Sequence, residues 1–239
     1  MIVDHIGVYF FPDDLWWRAV GRIGFPIWFF LVGHARGRDL PFVLAGGAFA
    51  LTAGNIIVGT HIFPLNALFT IALIRISIDF FMRVSMKSPR ALWVLAAVLF
   101  LLILPTGALT EYGTQALITA IFGYMVRHNT DRKESPLLLH YMIFSLISFL
   151  SIQMATFGFS LAPAAVMIAG TALVHIYLYD FQATNYTRLT CVLPRPFVFL
   201  LHLGGRRTLE IYVVHLLLFK ALALYTHQPD FGLFAWHWF

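Results

Sequence analysis

LLLHYMIFSLISFLSIQMAT (residues 137–156) and FSLAPAAVMIAGTALVHIYLY (159–179) stand almost end to end, and neither holds an Asp, Glu, Lys or Arg. Twenty residues of α-helix at about 1.5 Å rise span about 30 Å, the thickness of a bilayer hydrocarbon core. Each stretch therefore reads as a membrane-crossing helix. Moving outward, further apolar segments fall at 1–12, 23–35, 41–59, 64–82, 91–105, 114–126 and 208–226. The pattern predicts an all-α fold, a polytopic membrane helix bundle of about 8–9 transmembrane segments. Several segments are short, which makes re-entrant or distorted pieces part of that expectation. Residues 1–226 read as a single transmembrane domain and 227–239 as an aromatic tail. The stretch from Pro194 to Leu203 reads as an interfacial piece.

Composition excludes an ordinary soluble domain. Hydrophobic residues make up 60% of the 239, charged residues only 11%, and the mean hydropathy is +0.81. A soluble domain carries about twice that charge. The formal charge of +5 would suggest nucleic acid in a soluble protein. Here the basic residues sit in short loops, so they set topology and no nucleic-acid partner is expected. With the loop after 23–35 placed in the cytoplasm, alternation puts Arg36, Arg38, Arg83, Lys87, Arg90, Arg127, Arg132, Lys133, Arg188, Arg195, Arg206 and Arg207 inside, twelve of the sixteen Lys and Arg. The N-terminus is then cytoplasmic and the C-terminus outside. Cys191, the one cysteine, cannot form an intramolecular disulfide or a paired-cysteine zinc site, and no metal is expected.

The first dozen residues are apolar, yet they carry Asp4 and His5 and lack a basic leader, so they make a poor signal peptide. At about 18 Å of helix they are too short to span. Either a helix begins deep in the bilayer or the chain starts upstream of Met1, and the second is the expectation.

Ionisable groups within apolar segments cost about 2.5–3.5 kcal/mol each at the bilayer centre, so each is a site candidate. On a helix Asp4 and His5 point about 100° apart. Asp4 is expected to meet a cation on a neighbouring helix, with Arg22 nearest in sequence. That leaves His5 facing a cavity, able to take and return a proton, against the plainer reading of a hydrogen-bonded structural histidine. Arg75 and Asp79, four apart on one helix, are expected to pair with each other, with Arg75 otherwise lining a polar cavity. Tyr212 and His215 share a helix face. Lys220 is expected to snorkel to an interface.

Three blocks together narrow the reading: Ile2-Val-Asp4-His5-Ile-Gly7; Gly21-Arg22-Ile-Gly24-Phe25-Pro26, followed by Arg36 and Arg38; and Leu209-Glu210-Ile-Tyr212-Val-Val-His215. Their order resembles the TraX family, whose founding activity is N-acetylation of pilin, and more distantly acyltransferase family 3, membrane enzymes that modify sugars and lipids. The short Glu111-Tyr112-Gly113 block resembles a TraX-type outer-loop motif. The resemblance implies a transferase of the bacterial inner membrane, moving an acetyl or longer acyl group from acetyl-CoA to an amine or hydroxyl of a pilin, glycan or lipid. It implies His5 as general base, with Asp4 or Glu111 orienting a polar partner, or else an acyl-histidine intermediate. Arg36 and Arg38, with Arg22, would contact the anionic donor, and Arg75, Tyr112, Tyr212 and His215 would line the substrate pocket. The basic residue that acyltransferase family 3 carries about ten positions before its histidine would fall ahead of Met1. Two other functions fit the same buried charges: a small transporter or channel, and a non-catalytic envelope or pilus assembly factor.

Overall fold

The computed structural model describes residues 1–128, 136–184, 191–228 and 230–239. Arg132, Lys133 and Arg188, placed above among the inner-loop cations, lie outside the described residues. Among the described residues the regular structure is all helical: α1 Ile2–Phe10, α2 Leu15–Arg22, α3 Phe25–His34, α4 Phe42–Val58, α5 Ala67–Ser85, α6 Pro89–Leu101, α7 Ile103–Gly107, α8 Gly113–His128, α9 Pro136–Phe157, α10 Leu161–Tyr179, α11 Arg195–Arg206 and α12 Thr208–Tyr225.

Three of them, α9, α10 and α12, are long and apolar enough to cross a membrane, and α4 and α6 are shorter apolar helices. The all-helical expectation is met, and of the eight or nine segments expected these three reach full spanning length. Two of the breaks have a common cause. A proline ring clashes with the carbonyl four residues earlier and offers no N–H. Pro26 acts on Arg22, where α2 ends and α3 begins, and Pro105 acts on Leu101, where α6 gives way to α7. Side chains fix other starts. Asn66 Oδ1 accepts from Leu68 N–H at the head of α5, and Ser88 Oγ accepts from Ala91 N–H at the head of α6.

At the centre stands α8, buried along most of its length from Gly113 to Val126. Its closest neighbour is α3, and the two backbones touch. A Cβ on Gly33 would overlap the Ala120 carbonyl, and a Cβ on Gly123 would overlap the Phe30 carbonyl. Small residues at such crossings let apolar helices gain dispersion contact where water supplies no driving force. Phe30 meets Phe122 edge-on beside this crossing, with ring centroids 5.2 Å apart. Around α8 lie α5, α6, α7 and α9, while α4 packs on α12 and α1 pairs with α2.

Two faces result. On one, Arg38 and Arg127 hydrogen-bond the carbonyls that α3 leaves open at its C-terminus: Arg38 reaches Val32, Gly33 and Ala35, and Arg127 reaches His34 and Ala35. Arg38 also pairs with Asp79 at 3.1 Å. Arg75 donates to the carbonyls of Gly37 and Asp39. The expected Arg75–Asp79 pair is thus replaced. Both side chains turn to the 35–39 loop, where Arg75 finds open carbonyls and Asp79 a cation from outside its own helix. On the opposite face the tail folds back. Gly232 and Phe234 donate to Val58 and Ile57, and Ile62 and Phe63 donate to His237 and Trp238. The interfacial reading of 194–203 corresponds to α11, which buries none of its residues.

The α3–α8 crossing generates a test. Gly123→Val should lower the melting temperature in detergent by the equivalent of about 1–3 kcal/mol or prevent folding. Gly46→Ala, whose added Cβ would meet only the Phe42 ring at ordinary contact distance, should be neutral or slightly stabilising. Thermal unfolding of the purified variants checks both.

Candidate functional site

A cavity of about 740 Å³ opens among α1, α2, α4, α8, α9 and α12 and reaches the face that carries residues 60–64 and Phe231. Its inner wall is polar. Asp4, 1% exposed, sits in the crevice between α1 and α2, where Gly21 leaves room: a Cβ there would overlap the Asp4 backbone. One carboxylate oxygen, Oδ1, meets Arg18 Nη1 at 3.0 Å and Arg22 Nε at 3.3 Å. Arg18 and Arg22 lie four apart on α2 and so present together. The expected Asp4–Arg22 contact is present, and Arg18, which was not among the candidates, joins it. Arg22 Nη1 also donates to Gln153 Oε1 at 2.7 Å, and both guanidinium groups lie over the Phe157 ring, at 4.8 and 4.4 Å.

One residue on, His5 turns away from α2 toward α12. Its Nδ1 lies 2.8 Å from His215 Nε2, and the two rings stack with centroids 5.0 Å apart. His215 Nδ1 lies 2.6 Å from the carbonyl oxygen of Ile211. A carbonyl only accepts, so this Nδ1 carries the proton. With neutral rings, His215 Nε2 is then a bare acceptor, His5 Nδ1 donates to it, and His5 Nε2 keeps its lone pair. No described residue bonds that nitrogen, and His5 lines the cavity. Tyr212 packs beside both rings, with centroids 5.7 Å from each.

Glu111 and Tyr112 form the loop before α8 and also line the cavity. Glu111 Oε2 accepts from Ala67 N–H at 3.0 Å, so this carboxylate caps the N-terminus of α5. Withdrawal from water raises its pKa above the ordinary value, while the Ala67 hydrogen bond and Arg22 pull it back down. Tyr112 packs on Phe25 and Phe29 and lies under Arg22. Lys220 does not snorkel. It is 8% exposed, donates from Nζ to Asn55 Oδ1 and faces the same cavity, because a polar partner on α4 stands closer than either end of α12.

Of the residues singled out in the sequence, Asp4, His5, Arg22, Glu111, Tyr112 and Tyr212 line one cavity, and His215 adjoins it through His5. Arg36, Arg38 and Arg75 do not line it and belong to the opposite face. Arg36 is exposed there, while Arg38 and Arg75 are engaged in closing the α3 terminus and its loop. Sequence reading missed Gln153, Gln115 and Asn55. Each is the one Asn or Gln of its helix, the signal that could have found them. Among the described residues no cluster of three His, Cys, Asp or Glu could hold a metal ion.

A family model described as TraX protein matches residues 1–223, nearly the whole chain. No curated protein and no solved structure matches it.

Asp4→Asn leaves two guanidinium groups without their carboxylate inside the bundle. It should cost about 3–5 kcal/mol. Adding Arg18→Gln should restore part of that loss, and a double-mutant cycle by thermal unfolding checks it.

Proposed function

We propose that this chain, which belongs to the TraX family, is a membrane transferase that moves an acetyl or other acyl group from acetyl-CoA to an amine or hydroxyl. The observation that carries the reading is the chain of bonds from the Ile211 carbonyl through His215 to His5. It leaves one unprotonated nitrogen, His5 Nε2, on the wall of a cavity of substrate size.

In this reading His5 Nε2 takes the proton of the acceptor N–H or O–H. The freed nitrogen or oxygen bonds to the acyl carbon, the carbon–sulfur bond breaks, and the departing thiolate receives the proton back from His5. While His5 is an imidazolium, its Nδ1–H remains on His215 Nε2, so His215 positions the ring and stabilises the charge. Asp4 does not touch His5 chemically. It fixes α1 on α2 through Arg18 and Arg22 and so sets where His5 stands. Glu111 acts as a helix cap at the cavity wall. The donor is a polyanion, and guanidinium forks suit its phosphates. Arg38 is engaged with Asp79 and the α3 terminus, so nucleotide contact falls to exposed Arg36 and the basic residues Arg83, Lys87 and Arg90. The positive-inside bias puts that face in the cytoplasm, where the donor is made. The bacterial inner membrane is the corresponding location, and a pilin is the acceptor that the family suggests.

In protein shown by its melt to be folded, His5→Ala should lower acetyl transfer by about 10²–10⁴-fold. His215→Leu should lower it as well, and His215→Gln, whose amide oxygen can accept the same Nδ1–H, should retain more. Release of free thiol from acetyl-CoA in detergent measures all three, and full turnover by His5→Ala would end the assignment of the base.

A further inference from the structure

The cavity holds hydrogen-bond donors that the protein does not use. Lys220 Nζ carries three N–H groups and gives one to Asn55. Among the described residues no carboxylate pairs with it. Arg22 commits Nε to Asp4 and Nη1 to Gln153, and its Nη2 makes no bond to the described residues. Gln115, 1% exposed, takes the Ser148 hydroxyl on Oε1 and leaves Nε2 without a partner. A buried donor without an acceptor costs about 1–3 kcal/mol, and a buried ammonium without a counter-charge costs more.

These three groups come from α2, α8 and α12 and line the same cavity. The fixed charges there sum to an excess of cation: Arg18, Arg22 and Lys220 stand against Asp4 and Glu111. Glu111 lends its Oε2 to the α5 terminus. A ligand that answers these donors needs negative charge and several acceptor oxygens. A carboxylate offers two oxygens in one plane. A phosphate group offers a tetrahedron of them and matches both guanidinium and ammonium donors.

We infer that the cavity binds a phosphate group, held by Lys220, Arg22 and Gln115, on the side of the bundle away from Arg36 and Arg38. The group belongs either to a lipid headgroup or to a free phosphate. That its carrier is the acyl acceptor rests on the transferase reading above, whereas the binding itself does not.

Binding is therefore measured without acyl donor, by isothermal titration of the full chain in an uncharged detergent. The probes are dihexanoyl phosphatidic acid, inorganic phosphate and uncharged dihexanoylglycerol. Saturable binding of either phosphate probe, with dihexanoylglycerol weaker by about tenfold or more, is the expected result. Tighter binding of the phosphatidic acid identifies a lipid headgroup as the source, and equal binding identifies a free phosphate. Lys220→Met and Gln115→Leu should each weaken the phosphate probe, and Lys220→Arg should keep it. No phosphate binding, equal binding of dihexanoylglycerol, or a folded Gln115→Leu that binds as the parent does would overturn the inference. Donor turnover measured on the same preparation reads the transferase question separately.

Discussion

A carboxylate taken out of water loses its hydration, and inside an apolar bundle only cations and hydrogen bonds can replace it. Asp4 is in that position, and its replacement partners organise the N-terminal part of the molecule. Arg18 and Arg22 must stand on one face of α2 to share its Oδ1. Gly21 must lack a side chain for α1 to come close enough. Gln153 on α9 then accepts from Arg22, and the Phe157 ring lies under both guanidinium groups. With α1 held this way, the next residue points about 100° around the helix, away from the charges and onto α12.

His5 therefore meets His215 for reasons set by its neighbour. Turned toward a neutral imidazole already protonated on its far side, it has an acceptor for Nδ1–H and a free Nε2. Lys220, Arg22 and Gln115, which hold further donors, line the same cavity. The two faces divide the labour accordingly. Arg38 and Arg127 close the end of α3 on one face, and the cationic wall lies in the cavity that opens toward the other.

Much of this was legible in the chain. Charge-free runs of about twenty residues can hardly be anything but apolar helices, and α9 and α10 follow from them. The Asp4–Arg22 contact followed from the cost of burying Asp4, and the shared face of Tyr212 and His215 from helix spacing. Hydropathy does not register where a proline ring ends a helix, as Pro105 does within the 91–105 segment, so it did not show which segments run unbroken. The Arg75–Asp79 pairing failed because spacing along one helix says nothing of a loop folded against it. Lys220 was misjudged for the same reason: Asn55 lies 165 residues away in sequence. The His5–His215 bond joins the two ends of the chain, 210 residues apart, and no local pattern announces it.

The chemistry depends on the protonation pattern of that pair, and nitrogen NMR of histidine-labelled protein reads it directly, with the ten histidines assigned by single substitutions. His215 and His5 should both carry their proton on Nδ1 at neutral pH, with His5 Nε2 giving the shift of an unprotonated ring nitrogen. A proton found on His5 Nε2 would contradict it, since that ring would then present a donor to the cavity where the chemistry requires a base.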